Sequence, residues 1–195
     1  TKDTNEIWCR VRVTGMTDES GHVVRAVGVI IDIDAEKREA QHLKERAQQD
    51  ALTKLYNKGA CRERIEEALD GAGPGCRFAL IIIDLDDFKM VNDTMGHLFG
   101  DALLTEVAMT LQKQFRSRDV IGRVGGDEFL VFLDHIPDGP FVSEKAEQTM
   151  RALQEMVVRE LAGVNLSCSI GVAVAPDCGT SYNELFQKAD QALYQ

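Results

Sequence analysis

The sequence predicts an α/β (α+β) domain: a central mixed β-sheet flanked by helices, preceded by a β-hairpin and a linker helix. Three patterns carry that expectation. Residues 78–83 (FALIII) form a continuous apolar run that ends abruptly in acidic residues, as in strands buried on both faces. The β-rich runs 120–124 and 128–133 are joined only by Gly125, Gly126 and Asp127, a hairpin that makes part of the sheet antiparallel. Between such runs, apolar residues recur at helical spacing.

Composition bounds the function. The chain has 195 residues, 44% of them hydrophobic, enough for one full domain with something smaller attached. Its 22 Lys and Arg against 32 Asp and Glu leave a formal charge of −10, which argues against a nucleic-acid duplex binder. Acidity does not exclude nucleotide chemistry, because carboxylates hold Mg²⁺ against phosphate. No apolar run approaches the roughly 18 residues of a membrane span. The chain begins at Thr1 rather than Met, so a piece of a longer protein is expected, with any membrane anchor upstream. The 5 cysteines (Cys9, Cys61, Cys76, Cys168, Cys178) include no C-x-x-C pair, and the 4 histidines show no i, i+4 ligand spacing. Reduced cysteines in a cytoplasmic protein, without zinc, follow.

Taken in order, residues 1–33 hold two β-rich runs, 6–13 (EIWCRVRV) and 22–32 (HVVRAVGVIID), flanking a turn-rich link at 17–21. Two strands alone are marginal in water, so this hairpin must pack against something or belong to a larger sheet. Residues 34–49 lack Gly and Pro and carry a thin apolar seam at Ala40, Leu43 and Ala47, which fits a coiled coil and a solvated linker helix alike. Residues 50–195 are the main domain. Leu104, Val107, Ala108, Leu111 and Phe115 share one helical face, as do Ala146, Met150, Leu153, Val157 and Leu161. Leu166, Cys168, Ile170, Val172 and Val174 alternate as a strand. Ser181 and Glu184 form a capping box opening a last helix with Leu185, Ala189 and Leu193 on its apolar face.

The chemistry lies at the ends of the apolar strands. Asp84, Asp86 and Asp87 end the first of them; Asp127 and Glu128 sit in the hairpin turn. Gly125 and Gly126 would let that turn take positive φ and let a ligand approach the backbone. If the strands are neighbours, the carboxylates converge and repel, raising one another's pKa unless a cation sits among them. Mg²⁺ or Mn²⁺ with substrate phosphates fits; so does a solvated acidic turn.

Gly125-Gly126-Asp127-Glu128-Phe129, preceded by Arg123, matches the GGDEF motif, and four further blocks agree with it in order. Residues 50–58 (DALTKLYNK) resemble D-x-L-T-G-L-x-N-R, with Lys54 and Lys58 as departures. Residues 84–101 resemble D-x-D-x-F-K-x-x-N-D-x-x-G-H-x-x-G-D closely. Residues 169–171 (SIG) and 190–194 (DQALY) match the later blocks. The main domain thus resembles a diguanylate cyclase domain, itself similar to the palm of nucleotidyl cyclases and polymerases. The resemblance implies that two GTP molecules condense to cyclic di-GMP and two pyrophosphates across a homodimer, each domain carrying one half-site. It implies Asp84 and Asp127 as metal ligands with the Leu85 carbonyl assisting, and Glu128 in the same shell. Either Asp127 or Glu128 would take the 3′-hydroxyl proton. Lys89 and the backbone N–H groups of Asp87 and Phe88 would hold phosphates, Asn92 and Asp101 would read guanine, and Gly96 and His97 would be structural.

Arg116 and Asp119 stand at the position of the family's R-x-x-D inhibitory site, which implies product binding there. Arg123 is expected to pair with Asp50 and dock the linker. The N-terminal hairpin resembles the last strands of a PAS sensor, leading through 34–49 into a signalling helix. The family's closing block continues to a phosphate-contacting lysine that a chain ending at Gln195 would lack. A different class, a non-catalytic GTP- or cyclic di-GMP-binding module, remains the alternative; the undamaged motif favours the enzyme.

Overall fold

The computed structural model describes residues 7–160 and 167–193. Glu6, Leu161, Leu166, Tyr194 and Gln195, on which the sequence expectations draw, lie outside the described residues. The chain divides into two compact units, Thr1–Ala47 and Gln48–Gln195.

In the first unit, β1 (Cys9–Thr17) pairs antiparallel with β2 (Val23–Asp32), in register from Cys9↔Asp32 to Met16↔Arg25. The expected hairpin is present, but its first strand runs further along the chain than residues 6–13. The turn explains this. The Asp18 carboxylate accepts from the backbone N–H groups of Ser20 and His22, each at 2.9 Å, and Gly21 takes a φ of 86°, so the chain reverses only after Thr17. Helix α1 (Asp34–Ala47) follows, with the Asp32 carboxylate accepting from Asp34 N–H at 2.9 Å and Arg38 paired to Asp34 at 2.6 Å. It buries no residue, and its Leu43 is 59% exposed.

The second unit contains β3 (Tyr56–Asn57), α2 (Lys58–Asp70), β4 (Phe78–Leu85), α3 (Phe88–Met95), α4 (His97–Gln114), β5 (Val120–Arg123), β6 (Glu128–Leu133), α5 (Phe141–Glu160), β7 (Cys168–Ala175) and α6 (Tyr182–Leu193). Among the described residues the sheet order is β3-β5-β6-β4-β7; β3 runs parallel to β5 and the other neighbours are antiparallel. The sheet is mixed and flanked by helices, as the sequence predicts. Two details go beyond the pattern. The two-residue β3 is too short to show periodicity, and Gly96, at a φ of 88°, separates α3 from α4.

Strand β4 sits between β6 and β7, and its side chains alternate between two cores. Ala79, Ile81, Ile83 and Leu85 join residues of α3, α4 and α5, while Phe78, Leu80 and Ile82 join residues of α2 and α6. This is why the run 78–83 is apolar without alternation. The predicted stripe of α4 is buried at Leu104, Val107, Ala108 and Leu111, with Phe115 half-buried beyond the helix end. On α5 the stripe is rotated: Leu153 and Val157 are buried with Thr149 and Met156, while Ala146 and Met150 are only half-buried. Ser181 and Glu184 form the expected capping box, with Ser181 N–H donating to Glu184 at 3.1 Å and Glu184 N–H to Ser181 Oγ at 3.4 Å.

Strand β7 reverses one expectation. Cys168, Ile170, Val172 and Val174 are half-buried, and it is the small residues Gly171, Ala173 and Ala175 that are fully buried. Helix α6 rests on them so closely that a Cβ on Gly171 would lie 2.0 Å from the Ala189 carbonyl oxygen. Small size admits the helix; hydrophobicity alone does not predict that face. Gly171→Ala must push α6 away and is expected to destabilise by about 1–3 kcal/mol, read as a lowered urea midpoint with an unchanged m-value.

Candidate active site

The register of β4 against β6 builds the site. Asp84, next to last in β4, stands directly opposite Glu128, the first residue of β6. Just beyond that pair, Leu85 N–H donates to the Asp127 carbonyl at 3.3 Å, while Val124 N–H donates to the Glu128 carbonyl at 3.0 Å. Asp84, Asp127 and Glu128 therefore meet at one sheet edge. Partial burial, then Asp127, then Glu128, then Asp86, push the Asp84 carboxyl above the ordinary aspartate range. This is the repulsion that the spacing of the motif predicts.

Asp86 has a different position. Its carboxylate accepts from Ser167 Oγ at 2.6 Å and Ser169 Oγ at 2.8 Å, so hydroxyls at the start of β7 hold it. Those serines carry no sequence signal toward Asp86, because the pairing spans 81 and 83 residues.

The glycines act otherwise than expected. Neither Gly125 nor Gly126 is among the positive-φ glycines of the described residues. Gly125 is needed for closeness: a Cβ there would lie 2.2 Å from Glu128 Oε2, whereas one on Gly126 would meet nothing within 4 Å. Glu128 thus folds beneath the first glycine and the second is open. Arg123 fastens the turn, donating from Nε at 3.1 Å and Nη2 at 2.6 Å to the Gly126 carbonyl. Its Nη1 reaches Asp50 at 3.3 Å, the pairing expected from the sequence. Asp50 also accepts from Thr53 N–H at 2.8 Å and Thr53 Oγ1 at 2.7 Å. Against the opposing pull of burial, the Thr53 bonds and Arg123 hold the Asp50 carboxyl below its ordinary value.

Asp87 enters α3 in the left-handed region, at φ 56° and ψ 22°, and makes no side-chain cap. Its carbonyl takes the N–H groups of Met90 and Val91. The amides of Asp87 and Phe88 lie ahead of those bonds, at a helix N-terminus. Phe88 is 9% exposed and anchors this end in the core, while Lys89 is exposed. Asn92 and the first turn of α4 are brought together by Gly100, whose Cβ would stand 2.0 Å from Asn92 Oδ1. Asp101, beside Gly100, is exposed. Gly100 is a positioning glycine that sequence reasoning assigned no role; its place in the block 84–101 was the available signal.

Arg116 and Asp119 lie at the other end of β5. Asp119 Oδ2 accepts from Arg116 N–H at 2.8 Å, and Asp119 Oδ1 from Asp134 N–H at 3.3 Å. Its carboxylate shapes the α4–β5 turn. Arg116 lines two cavities, of about 440 Å³ with Lys54, Tyr56 and Phe115, and about 140 Å³ with His135 and Lys145.

For a divalent cation the donors fit in kind and are incomplete in number. Asp84, Asp127 and Glu128 are hard oxygen donors whose crowding a cation would relieve. Among the described residues no group of three or more His, Cys, Asp or Glu is arranged to hold a metal. One or two carboxylates completed by substrate phosphates is the mode that suits Mg²⁺.

A mixed sheet whose central hairpin presents this turn to an acidic strand end defines a class of signalling domain, and comparison names it. The family model "Diguanylate cyclase, GGDEF domain" matches residues 47–195, and the chain belongs to that family. It is 34% identical over 163 residues to the cyclic di-GMP phosphodiesterase PdeR of Escherichia coli, covering 84% of this chain and 24% of that protein. It is 38% identical over 146 residues to the bifunctional diguanylate cyclase/cyclic di-GMP phosphodiesterase MucR of Pseudomonas aeruginosa, covering 74% and 21%. The crystal structure of a sensory box/GGDEF family protein from Caulobacter crescentus superposes with a TM-score of 0.67 at 38% identity, covering 75% of this chain and 96% of that one. The chain spans less than a quarter of the length of those two curated relatives.

Because Asp84 holds its proton more tightly folded than unfolded, ionising it disfavours the fold. Stability from this group is full at low pH and falls as pH rises through the ordinary aspartate value toward the raised one. Without divalent cations, Asp84→Asn is therefore expected to have the higher melting temperature at pH 7, and the gap to close near pH 3.

Proposed function

We propose that the chain is the catalytic output domain of a diguanylate cyclase, condensing two GTP into cyclic di-GMP and two pyrophosphates. The observation that carries this is the undamaged turn from Gly125 to Phe129, held so that Glu128 faces Asp84 beside the open N-terminus of α3. In each half-reaction a 3′-oxygen bonds to the α-phosphorus of the other nucleotide and pyrophosphate leaves with the broken P–O bond. Each domain supplies one half-site, so turnover needs two copies face to face. Asp84, Asp127 and Glu128, with the Leu85 carbonyl, would hold Mg²⁺ or Mn²⁺, which when bound offsets phosphate charge. The amides of Asp87 and Phe88 and the Lys89 ammonium bind the β- and γ-phosphates. The Asn92 amide donates to an acceptor on the guanine base, and Asp101 accepts from its N–H groups. Asp127 or Glu128 receives the 3′-hydroxyl proton. Most of the rate comes from placement and charge neutralisation.

Arg116 and Asp119 form the product-inhibition site in this reading. Arg116 lines two cavities, and a guanidinium can fork onto a guanine edge or phosphate. Residues 1–33 are the closing strands of a PAS sensor, 34–49 a signalling helix and 50–195 the cyclase domain, in a cytoplasmic setting. Support comes from the exposure of Val11, Val13, Val24 and Ile30, from 59% to 71% on a two-stranded sheet, a surface that strands normally cover with further sheet or a partner. No helix of the described residues is long and apolar enough to cross a membrane.

The chain, incubated with GTP and Mg²⁺, is expected to yield cyclic di-GMP by chromatography. Asp127→Ala should lower the rate on the order of 10³-fold, about 4 kcal/mol in barrier; near-normal synthesis in that variant would sink the mechanism. Bound but unturned GTP would mark a regulatory module instead. Arg116→Ala is expected to keep synthesis and lose inhibition by added product; unchanged inhibition would remove the site.

A further inference from the structure

The other end of the β4–β6 pair carries a second reactive arrangement. Cys76 lies two residues before β4, and His135 two residues after β6. The antiparallel register that pairs Ala79 with Leu133 continues outward, with Ile136 N–H donating to the Arg77 carbonyl at 2.9 Å. That brings Cys76 Sγ to 3.4 Å from His135 Nε2. The opposite ring nitrogen, His135 Nδ1, is 2.5 Å from Asp134 Oδ1. With Nδ1–H donating to the carboxylate, Nε2 is left to accept from the thiol.

The imidazole is held from three sides. Asp134 fixes its tautomer, the Phe78 ring meets it edge-on at 5.4 Å and 69°, and its backbone sits at a φ of 53°, a region where histidine is enriched among non-glycine residues. Arg77, next to Cys76, is paired to Asp138 at 3.4 Å and to Asp177. Cys76 is half-buried and the His135 side chain is 54% exposed, so a small molecule can reach the pair. A nucleophile within hydrogen-bond reach of a base that a third group orients is the arrangement of an activated thiol.

We propose that Cys76 is a modification site, a thiol activated by His135 and Asp134 for exchange with low-molecular-weight disulfides. As the Cys76 sulfur attacks one sulfur of R–S–S–R, His135 Nε2 takes the thiol proton. The Cys76–S–S–R bond forms, the original S–S bond breaks, and RS⁻ leaves and recovers the proton from the imidazolium. Asp134 is a positioning residue that acts through His135. The site uses no residue of the proposed cyclase chemistry and does not rest on that reading.

Three other cysteines provide internal references. Cys9 is exposed, Cys178 is half-buried with no imidazole bonded to it among the described residues, and Cys61 is fully buried, its thiol pushed up to about 12 by burial. The intact chain is treated with 2-hydroxyethyl disulfide at pH 7, and adduct formation is followed at each cysteine by peptide mass spectrometry. Cys76 is expected to react at least about tenfold faster than Cys9 and Cys178, within the range of general-base assistance. His135→Asn should bring it to within about twofold of Cys178, and Asp134→Asn should remove most of the advantage, while Cys61 stays unmodified and reports an intact fold. A wild-type Cys76 no faster than Cys9 and Cys178 would overturn the proposal, whatever the variants do. So would a His135→Asn chain that keeps the full advantage with Cys61 still protected.

Discussion

Repulsion among carboxylates at one end of the β4–β6 pair is the constraint around which the domain is arranged. Antiparallel register puts Asp84 opposite Glu128 with Asp127 adjoining, and burial beneath them keeps solvent from dispersing the charge. A free chain would not hold three carboxylates so. The strand cores do, because Ile81 to Ile83 and Phe129 to Leu133 are almost wholly buried and leave no slack in register. The neighbouring groups then make sense as responses. Ser167 and Ser169 hold the Asp86 carboxylate through two hydroxyls, while its charge still adds to the push on Asp84.

The turn itself is tied down from outside the sheet. Arg123 bonds the Gly126 carbonyl and Asp50 together, so the loop carrying the motif and the segment opening the second unit share one guanidinium. Both partners are mostly buried, at 15% and 24% side-chain exposure, where an ion pair is screened less than at the surface. Whatever displaces Asp50 also loosens the turn.

Strand β6 is buried along its length and carries titratable groups at both tips. Glu128 opens it beside the acidic site, while Asp134 and His135 follow its far end beside Cys76 and the Arg116–Asp119 turn. Fully buried side chains between the tips let the sheet position both groups with little play. The two tips differ in character: one gathers carboxylates, the other sets a thiol beside an imidazole.

The mixed sheet, the buried central strand, the hairpin turn and the α6 capping box were legible in the sequence, because each is a local pattern of periodicity or turn chemistry. So was the meeting of Asp84 with Asp127 and Glu128, which follows once the two strands are neighbours. Hidden from it were the roles of Gly100, Gly125 and Gly171, which depend on how near another segment comes, and the serines that hold Asp86 from across the sheet. The rotated stripe of α5 and the small-residue face of β7 were missed for the same reason. Patterning states which side chains shun water; only packing decides which helix lies close enough to require a missing Cβ, and which distant groups share a hydrogen bond.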